Sequence, residues 1–318
     1  MMKKYIGIIA SVVYALLFRI LVEFHVMEMN SWSYLIVLPI LMGYLPFALD
    51  KKTFIDSKAK SILFPMVSVI LFLVIAFITQ LEELSCFVIL LPPYALISVL
   101  VSLGLRLSLK EDTGDSNNGL TKNSLIFIAL PLLLGQIEQG LDKRTKVLEL
   151  SENIIIESSD QRVWNNLFSV PDLSKDVEPS IYNYLGFPNP VRSNYDLKTN
   201  TRLGYFSNGI VLNEKVVEQK DRKKLSFAID VEKSILDKSQ TFQHVLRNKN
   251  LVFQSITYRL NRIAANRTEL TLSCTYELST NIPLYGTFWS KQIIRDFETK
   301  LLHALKRNIE KQGNNEFY

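Results

Sequence analysis

The chain has 318 residues, of which 48% are hydrophobic, and it carries a formal net charge of +5. This length suits two domains better than one. The basic residues are spread out and form no stripe interleaved with aromatic residues, so the sequence does not indicate a nucleic-acid-binding protein. Cys86 and Cys274 lie in different halves of the chain and in apolar surroundings. Neither a structural disulfide nor a metal site is therefore predicted.

Apolar runs crowd the first 140 residues and predict an all-α membrane region. The first run, Tyr5 to Phe24, follows two lysines as a signal peptide would, but Arg19 interrupts its core and no cleavage site follows. We therefore interpret it as a retained membrane helix. Three further runs have close to the length that a bilayer requires. They are Trp32 to Leu49, Ser61 to Thr79 and Cys86 to Leu105.

A shorter segment at 124–139 completes the predicted membrane region, residues 1–140. Its apolar core, Leu125 to Ile137, spans only roughly 20 Å as a helix, against a hydrocarbon layer of about 30 Å. It could be a tilted short span, a re-entrant piece or an interfacial helix. We favour a fifth span, since the polar stretch before it is typical of a loop that returns the chain to the membrane.

Charges in the loops predict an orientation for this region. Lysines dominate the start of the chain and the second loop, whereas glutamates mark the first and third loops. The positive-inside rule then places the N-terminus in the cytoplasm. With five spans, the soluble domain lies on the outer side of the membrane, which we expect to be a bacterial cytoplasmic membrane.

The second half predicts a water-soluble α+β domain at 147–312. It opens on Val147 to Phe168, where a strand with a β-branched run leads into a helix capped by Ser158, Ser159 or Asp160. We expect a short helix at Val177–Leu185 ended by Gly186, and then an irregular turn to Pro190. The further strands are Arg202–Phe206, Gly209–Gln219, Leu225–Ile229, Leu251–Leu260 and Thr268–Leu278, with a long loop at Val231–Asn250.

The end of the chain carries the clearest periodicity. Apolar residues from Leu270 to Leu278 alternate with polar ones, which predicts a strand with one buried and one wet face. Tyr285 to Lys311 is an amphipathic helix, whose eight apolar side chains would gain on the order of 10–20 kcal/mol on burial. This helix must therefore cover a sheet or a partner, which indicates a long C-terminal helix gripping a curved antiparallel sheet.

The ordered set of segments in this half resembles the START-like, or SRPBCC, superfamily, which includes the polyketide cyclase/dehydrase-like proteins. The resemblance covers about 147–312, follows several membrane helices as in one subgroup, and rests on no single motif. The residues that carry it are Ser158–Trp164, Gly186–Pro190, Phe206–Gly209, Lys224–Asp230, Thr268–Leu278, Pro283–Tyr285 and Phe288-Trp289. It implies a helix-grip fold whose cavity usually holds a hydrophobic small molecule or lipid. It implies no shared catalytic motif.

Large apolar side chains along these elements are the candidates for lining the cavity. They are Trp164, Phe206, Phe227, Phe253, Tyr276, Trp289, Ile293 and Phe297. Ordinary core packing predicts the same pattern, because alternation shows burial but not whether the buried space is hollow. His303, on the terminal helix, could face the cavity or solvent. Arg19 and Glu23, one helical turn apart in the first span, predict a pair that snorkels to the membrane surface.

The sequence contains no dinucleotide-binding, phosphate-loop, metalloprotease or thiol-redox motif. We therefore predict no metal and no cofactor, and the sequence does not identify a catalytic residue. The first hypothesis is a non-enzymatic, membrane-anchored module that binds a lipid or another apolar small molecule near the bilayer. The second is a cyclase- or hydrolase-type enzyme, which requires at least two ionisable side chains in the cavity. The third is a scaffold whose apolar groove holds a partner helix.

Overall fold

The computed structural model of the chain describes residues 5–24, 31–111, 130–138, 140, 144–236, 245–246 and 250–315. The chain divides into two compact units, Met1–Lys143 and Arg144–Tyr318. The first is all-α, and the second consists of a sheet and helices. We describe each unit by itself.

The first unit contains six helices in its described residues. They are α1 (Ile6–Glu23), α2 (Leu38–Leu49, which continues a π-helical turn at Ser33–Val37), α3 (Lys51–Asp56), α4 (Lys58–Ile78), α5 (Leu84–Glu111) and α6 (130–138). Three of them, α1, α4 and α5 as far as Ser108, are long and apolar enough to cross a membrane.

Two of the five predicted spans are not among the helices that are long and apolar enough to cross a membrane. The helix at Ser33–Leu49 is shorter, and its length of about 26 Å falls short of a hydrocarbon layer of about 30 Å. For the fifth predicted span, at 124–139, residues 124–129 and 139 lie outside the described residues, and the rest forms α6. The prediction of a fifth span therefore stays a prediction.

Two glycines allow α2 to pack closely against its neighbours. A β-carbon on Gly7 of α1 would lie 2.6 Å from the Cα atom of Pro46 in α2. A β-carbon on Gly43 of α2 would collide with the backbone carbonyl of Ser98 in α5. Small residues at helix interfaces let backbones approach in this way, and in lipid that close packing is a main source of stability.

We expect Gly43→Ala to destabilise the helical unit by at least about 1–3 kcal/mol, because the new methyl group meets backbone rather than a movable side chain. Gly104→Ala is the matched control, since a β-carbon on Gly104 of α5 has no atom within 4 Å. The measurement is thermal unfolding of the full chain in detergent. Equal melting temperatures for the two variants would contradict the close α2–α5 contact.

Arg19 lies buried beneath the loop between α4 and α5. Its Nε atom lies 2.5 Å from Oε1 of Glu82, and its Nη1 atom lies 2.9 Å from Oε2 of Glu23. The guanidinium also donates to the backbone carbonyl of Leu81, and the Tyr34 hydroxyl donates to Glu82 at 3.2 Å. The predicted pair with Glu23 forms. The snorkelling interpretation is wrong, because Glu82 gives the Arg19 side chain, which is only 1% exposed, a partner inside the protein.

The second unit is built on one antiparallel sheet of seven strands. They are β1 (Arg144–Ile156), β2 (Pro190–Asp196), β3 (Thr201–Phe206), β4 (Val211–Lys220), β5 (Lys224–Ile235), β6 (Leu251–Ala264) and β7 (Arg267–Thr280). Their order in the sheet is β1-β7-β6-β5-β4-β3-β2. Strands β2 to β7 follow one another as hairpins, and β1 joins the free edge of β7. Register shifts in three of the pairings, β2–β3, β4–β5 and β6–β7, mark bulges, which bend the strands that carry them.

Within the described part of this unit, three helices accompany the sheet: α7 (Asp160–Phe168), α8 (Ile181–Tyr184) and α9 (Pro283–Asn315). Helix α9 packs against β1 and β7. Apolar side chains from α9 and from the strands form a common core, which includes Leu302, Leu305, Leu270 and Leu272. A long C-terminal helix held against an antiparallel sheet is the predicted helix-grip arrangement, and the whole unit is α+β.

Local details of the soluble half differ from the predictions in three places. Strand β2 was not predicted, because it begins at Pro190, lies at a sheet edge and has no regular alternation of buried residues. Only Ile181–Tyr184 of the predicted helix Val177–Leu185 forms, since Pro179 disfavours helix in the residue before it and Ser180 caps the new start. The predicted loop Val231–Asn250 is wrong as far as Ile235, which ends β5; residues 237–244 and 247–249 lie outside the described residues.

Candidate functional site

A cavity of about 150 Å³ lies in the second unit, between the sheet and α9. Apolar side chains form most of its wall. Helix α9 contributes Ile293, Ile294, Phe297 and Leu301, and the sheet contributes Leu212, Ile229, Phe253, Ile256 and Leu272. An engineered apolar cavity of about this volume in another protein remains dry and binds benzene. The volume therefore suits a single ring or a short alkyl segment.

Half of the candidate residues line the cavity, and the other half do not. The four that line the cavity are Phe206, Phe253, Ile293 and Phe297, and the rings of Phe206 and Phe297 stack with centroids 5.8 Å apart. Trp164 and Phe227 pack instead into the core beneath α7 and α9. Tyr276 is buried beside Phe253, with its hydroxyl 3.0 Å from that of Ser290, and Trp289 packs against Tyr285 and Phe288. These four do not line the cavity.

A turn after α8 forms one side of the cavity. Phe187, Pro188 and Pro190 line it, and Gly186 ends α8 with a φ of +97°, a conformation that favours glycine. The ammonium group of Lys300 fastens both α8 and this turn to α9, and it lies 3.4 Å from Oδ1 of Asn189 in the turn. The Lys300 Nζ atom lies 2.6 Å from Oδ2 of Asp296, 2.8 Å from Oδ1 of Asn183 and 3.1 Å from Oγ of Ser180. Because Lys300 and Asp296 also line the cavity, this cluster places charged groups at its wall.

A buried ion pair reaches the cavity from the sheet. Arg202 of β3 and Glu214 of β4 face each other in the register and form a direct ion pair, with both side chains almost fully buried. Arg202 also donates to the backbone carbonyl of Leu167 at 2.8 Å, and its guanidinium lies 3.7 Å from the ring centroid of Phe227. Burial alone lowers the pKa of Arg202, but Glu214 and the Tyr258 hydroxyl raise it by more, so the guanidinium stays charged.

Glu298 of α9 is the third acidic group on the cavity wall, after Asp296 and Glu214, and it is buried. Neither carboxyl oxygen has a hydrogen-bond partner of normal geometry among the described residues, although the backbone N–H of Cys274 lies close enough to favour the ionised form weakly. Burial, followed by repulsion from Glu152, raises the pKa of Glu298 to about 8. The carboxyl group is therefore largely protonated at neutral pH.

None of these charged cavity residues is among the candidates predicted from the sequence. One signal was available for Glu298, because Ile294, Glu298 and Leu302 are spaced by four residues and share the apolar stripe of α9. A carboxyl group on such a stripe indicates a buried acid. Glu214 lies on the same buried face of β4 as Leu212 and Val216, but only the register shows that it faces Arg202. His303, which was considered for the cavity, is exposed and does not line it.

Comparisons with known proteins give similarities of fold only. No protein-family model and no curated protein matches the sequence. Among solved structures, a START superfamily protein from Mycobacterium smegmatis is similar over 52% of this chain and 98% of its own, with 9% identity and a TM-score of 0.36. The Zhui aromatase/cyclase from Streptomyces sp. R1128 is similar over 52% and 96%, with 11% identity and a TM-score of 0.34. An uncharacterized protein from Bacillus thuringiensis is similar over 50% and 98%, with 14% identity and a TM-score of 0.33.

Proposed function

We propose that this chain is a membrane-anchored protein whose helix-grip domain binds an apolar small molecule or lipid in the cavity between the sheet and α9. The observation that carries the proposal is the apolar hollow itself, since a protein interior is otherwise close-packed and leaves few voids larger than a water molecule. Three helices long and apolar enough to cross a membrane precede the domain in the chain. The hollow offers no room for a partner helix, whose diameter with side chains is about 10–12 Å, so the scaffold hypothesis is not favoured.

The proposal predicts that filling the cavity removes the ligand. The full chain is purified in mild detergent, and apolar molecules that remain bound are extracted and identified by mass spectrometry. Leu212→Trp adds a ring at a cavity-lining position of β4, whereas Val217→Trp adds the same ring at an exposed position of the same strand. We expect Leu212→Trp to lose the ligand and Val217→Trp to retain it. An identical set of molecules in both variants would show that they bind elsewhere.

A second candidate function, a cyclase- or hydrolase-type enzyme using the same cavity, is supported by one observation. At least two ionisable groups reach the wall, the protonated Glu298 and the Arg202–Glu214 pair, as the enzyme hypothesis requires. A protonated carboxyl group can act as a general acid, and such a group typically contributes about 100-fold or more to a rate. Turnover of a single-ring ester such as phenyl acetate that falls about 100-fold in Glu298→Gln would favour the enzyme. No turnover by the wild type above the uncatalysed rate would argue against it.

Orientation in the membrane is part of the proposal. The loop charges support a cytoplasmic N-terminus, and with five spans the helix-grip domain lies on the outer side of a bacterial cytoplasmic membrane. A reporter enzyme that is active only outside the cytoplasm, fused after Tyr318, should then be active. A cytoplasmic fluorescent reporter at the same position should be dark, and the opposite pair of results would place the domain in the cytoplasm.

A further inference from the structure

No hydrogen bond of normal geometry within the described part of the chain accounts for the buried position of the Glu298 carboxyl group. Its side chain is 1% exposed, both of its oxygens lack a hydrogen-bond partner of normal geometry among the described residues, and it lines the cavity. Buried polar groups in native proteins are almost always hydrogen-bonded, so an unsatisfied one requires an explanation. A ligand group in the adjoining cavity would supply the missing partner.

Ionisable groups face Glu298 from three strands and from its own helix. Glu152 of β1 repels an ionised carboxylate, whereas Arg295 of α9 attracts one. Strand β7 contributes the thiol of Cys274 and the hydroxyl of Tyr276, and β6 contributes the hydroxyl of Tyr258. Burial raises the pKa of each of these three groups, so all three are neutral at physiological pH. The net effect of burial and of these charges favours the neutral carboxyl form of Glu298.

We propose that Glu298 is the polar anchor of the bound molecule, and that its carboxyl group donates a hydrogen bond to a carbonyl oxygen of an otherwise apolar ligand. This inference rests on the proposed function and adds the chemical class of the ligand, an apolar molecule with one oxygen acceptor, such as a ketone, an aldehyde or an ester.

A carbonyl ligand is favoured over a cationic amine by the cost of removing charges from water. A neutral carboxyl group has one O–H to donate, and a carbonyl oxygen accepts it without any charge entering the cavity. An ammonium ligand would need Glu298 to ionise, so two charges would have to be desolvated in an apolar site. Glu152 opposes that ionisation further. An amine is therefore an alternative that the experiment can detect.

Three single-ring probes with the same heavy-atom skeleton test the anchor. Acetophenone carries a carbonyl oxygen, cumene carries a methyl group in its place, and α-methylbenzylamine carries an amine. The full chain is placed in lipid nanodiscs and dialysed against each probe, so that the free probe concentration stays known despite partitioning into lipid. Binding is followed by the methyl NMR signals of Ile293 and Ile294, which both line the cavity.

Two variants distinguish the effect of losing the hydrogen-bond donor from the effect of changing the shape of the cavity. In Glu298→Met the polar group is lost at similar volume, and we expect the preference for acetophenone over cumene to fall about 3- to 10-fold, the effect of one hydrogen bond. In Glu298→Gln an N–H donor remains, so acetophenone should still bind.

In the wild type, acetophenone binding should weaken as the pH rises from about 6 to about 10, because the ionised carboxylate has no proton to donate. In Glu298→Gln that weakening should be absent.

Each other outcome contradicts a defined part of the account. Equal preference for acetophenone in the wild type and Glu298→Met, or the same pH dependence in the wild type and Glu298→Gln, would overturn the anchor while leaving the apolar site intact. Tighter binding of α-methylbenzylamine than of acetophenone would also overturn it. If no probe shifts the Ile293 and Ile294 signals, the proposed function fails together with the anchor.

Discussion

Glu298→Met should make the helix-grip domain more stable, and the gain should grow as the pH rises. The ordinary pKa of a glutamate is 4.5, whereas that of Glu298 in the folded protein is about 8. Between these values the unfolded chain has released the proton and the folded chain retains it, so folding stability falls as the pH rises. Each pH unit in this window contributes about 1.4 kcal/mol, and solvent relaxation reduces the total, so we expect a loss of about 2–5 kcal/mol by pH 8.5.

The variant removes this loss because methionine has no proton to release. Its unfolding temperature, followed by tryptophan fluorescence of the full chain, should exceed that of the wild type by about 5–15 °C at pH 8.5, and by clearly less at pH 5. Glu149→Met serves as the control, since Glu149 is an exposed residue of β1, and it should leave the pH dependence unchanged. A constant difference between wild type and Glu298→Met at all pH values would show that Glu298 titrates normally.

Arg202→Met should have a large effect of the opposite sign. It leaves the carboxylate of Glu214 buried without its cation, and removing one partner of a buried pair typically costs about 3–5 kcal/mol. It also removes the donor to the Leu167 carbonyl and the cation above the Phe227 ring. We expect the unfolding temperature to fall by about 8–15 °C at pH 7, because 1 kcal/mol corresponds to about 2–4 °C in a domain of this size.

The double variant Arg202→Met/Glu214→Leu tests the cause of that loss. With both charges absent, no uncompensated charge remains in the core, and most of the stability should return, since buried pairs are often replaceable by apolar residues. Arg262→Met, at an exposed position of β6, is the control for the loss of an arginine. If the double variant is as unstable as Arg202→Met, the carboxylate of Glu214 is not the source of the loss.

The fold could be predicted largely because its longest elements have strict periodicity. Strand β7 buries Leu270, Leu272, Cys274, Tyr276 and Leu278, as its alternation indicated, while the opposite face is more exposed except at Ser273. The spacing of apolar residues in α9 likewise predicted a helix against the sheet. Strand β2 escaped prediction since an edge strand that begins with proline has neither alternation nor a full ladder of hydrogen bonds.

The residues that line the cavity could be predicted only in part from the sequence, for a physical reason. Burial leaves the same apolar pattern whether the side chain faces a void or a neighbour, so Phe297 at the cavity and Phe227 in the core could not be told apart. Whether an aromatic residue lines the hollow depends on strand curvature and on the position of α9. The charged residues on the wall were overlooked for a different reason. Only the strand register and the helix position show that Arg202, Glu214 and Glu298 reach one cavity.

The most direct test of an apolar binding site between the sheet and α9 is photolabelling of the full chain in nanodiscs with an apolar, single-ring aryl diazirine. Labelled peptides are then mapped by mass spectrometry in the wild type and in Leu212→Trp. We expect labels on Phe253, Ile256 and Phe297 in the wild type and the loss of these labels in Leu212→Trp. Labels confined to the membrane helices and to exposed residues such as Leu284, with none on the cavity wall, would contradict this expectation.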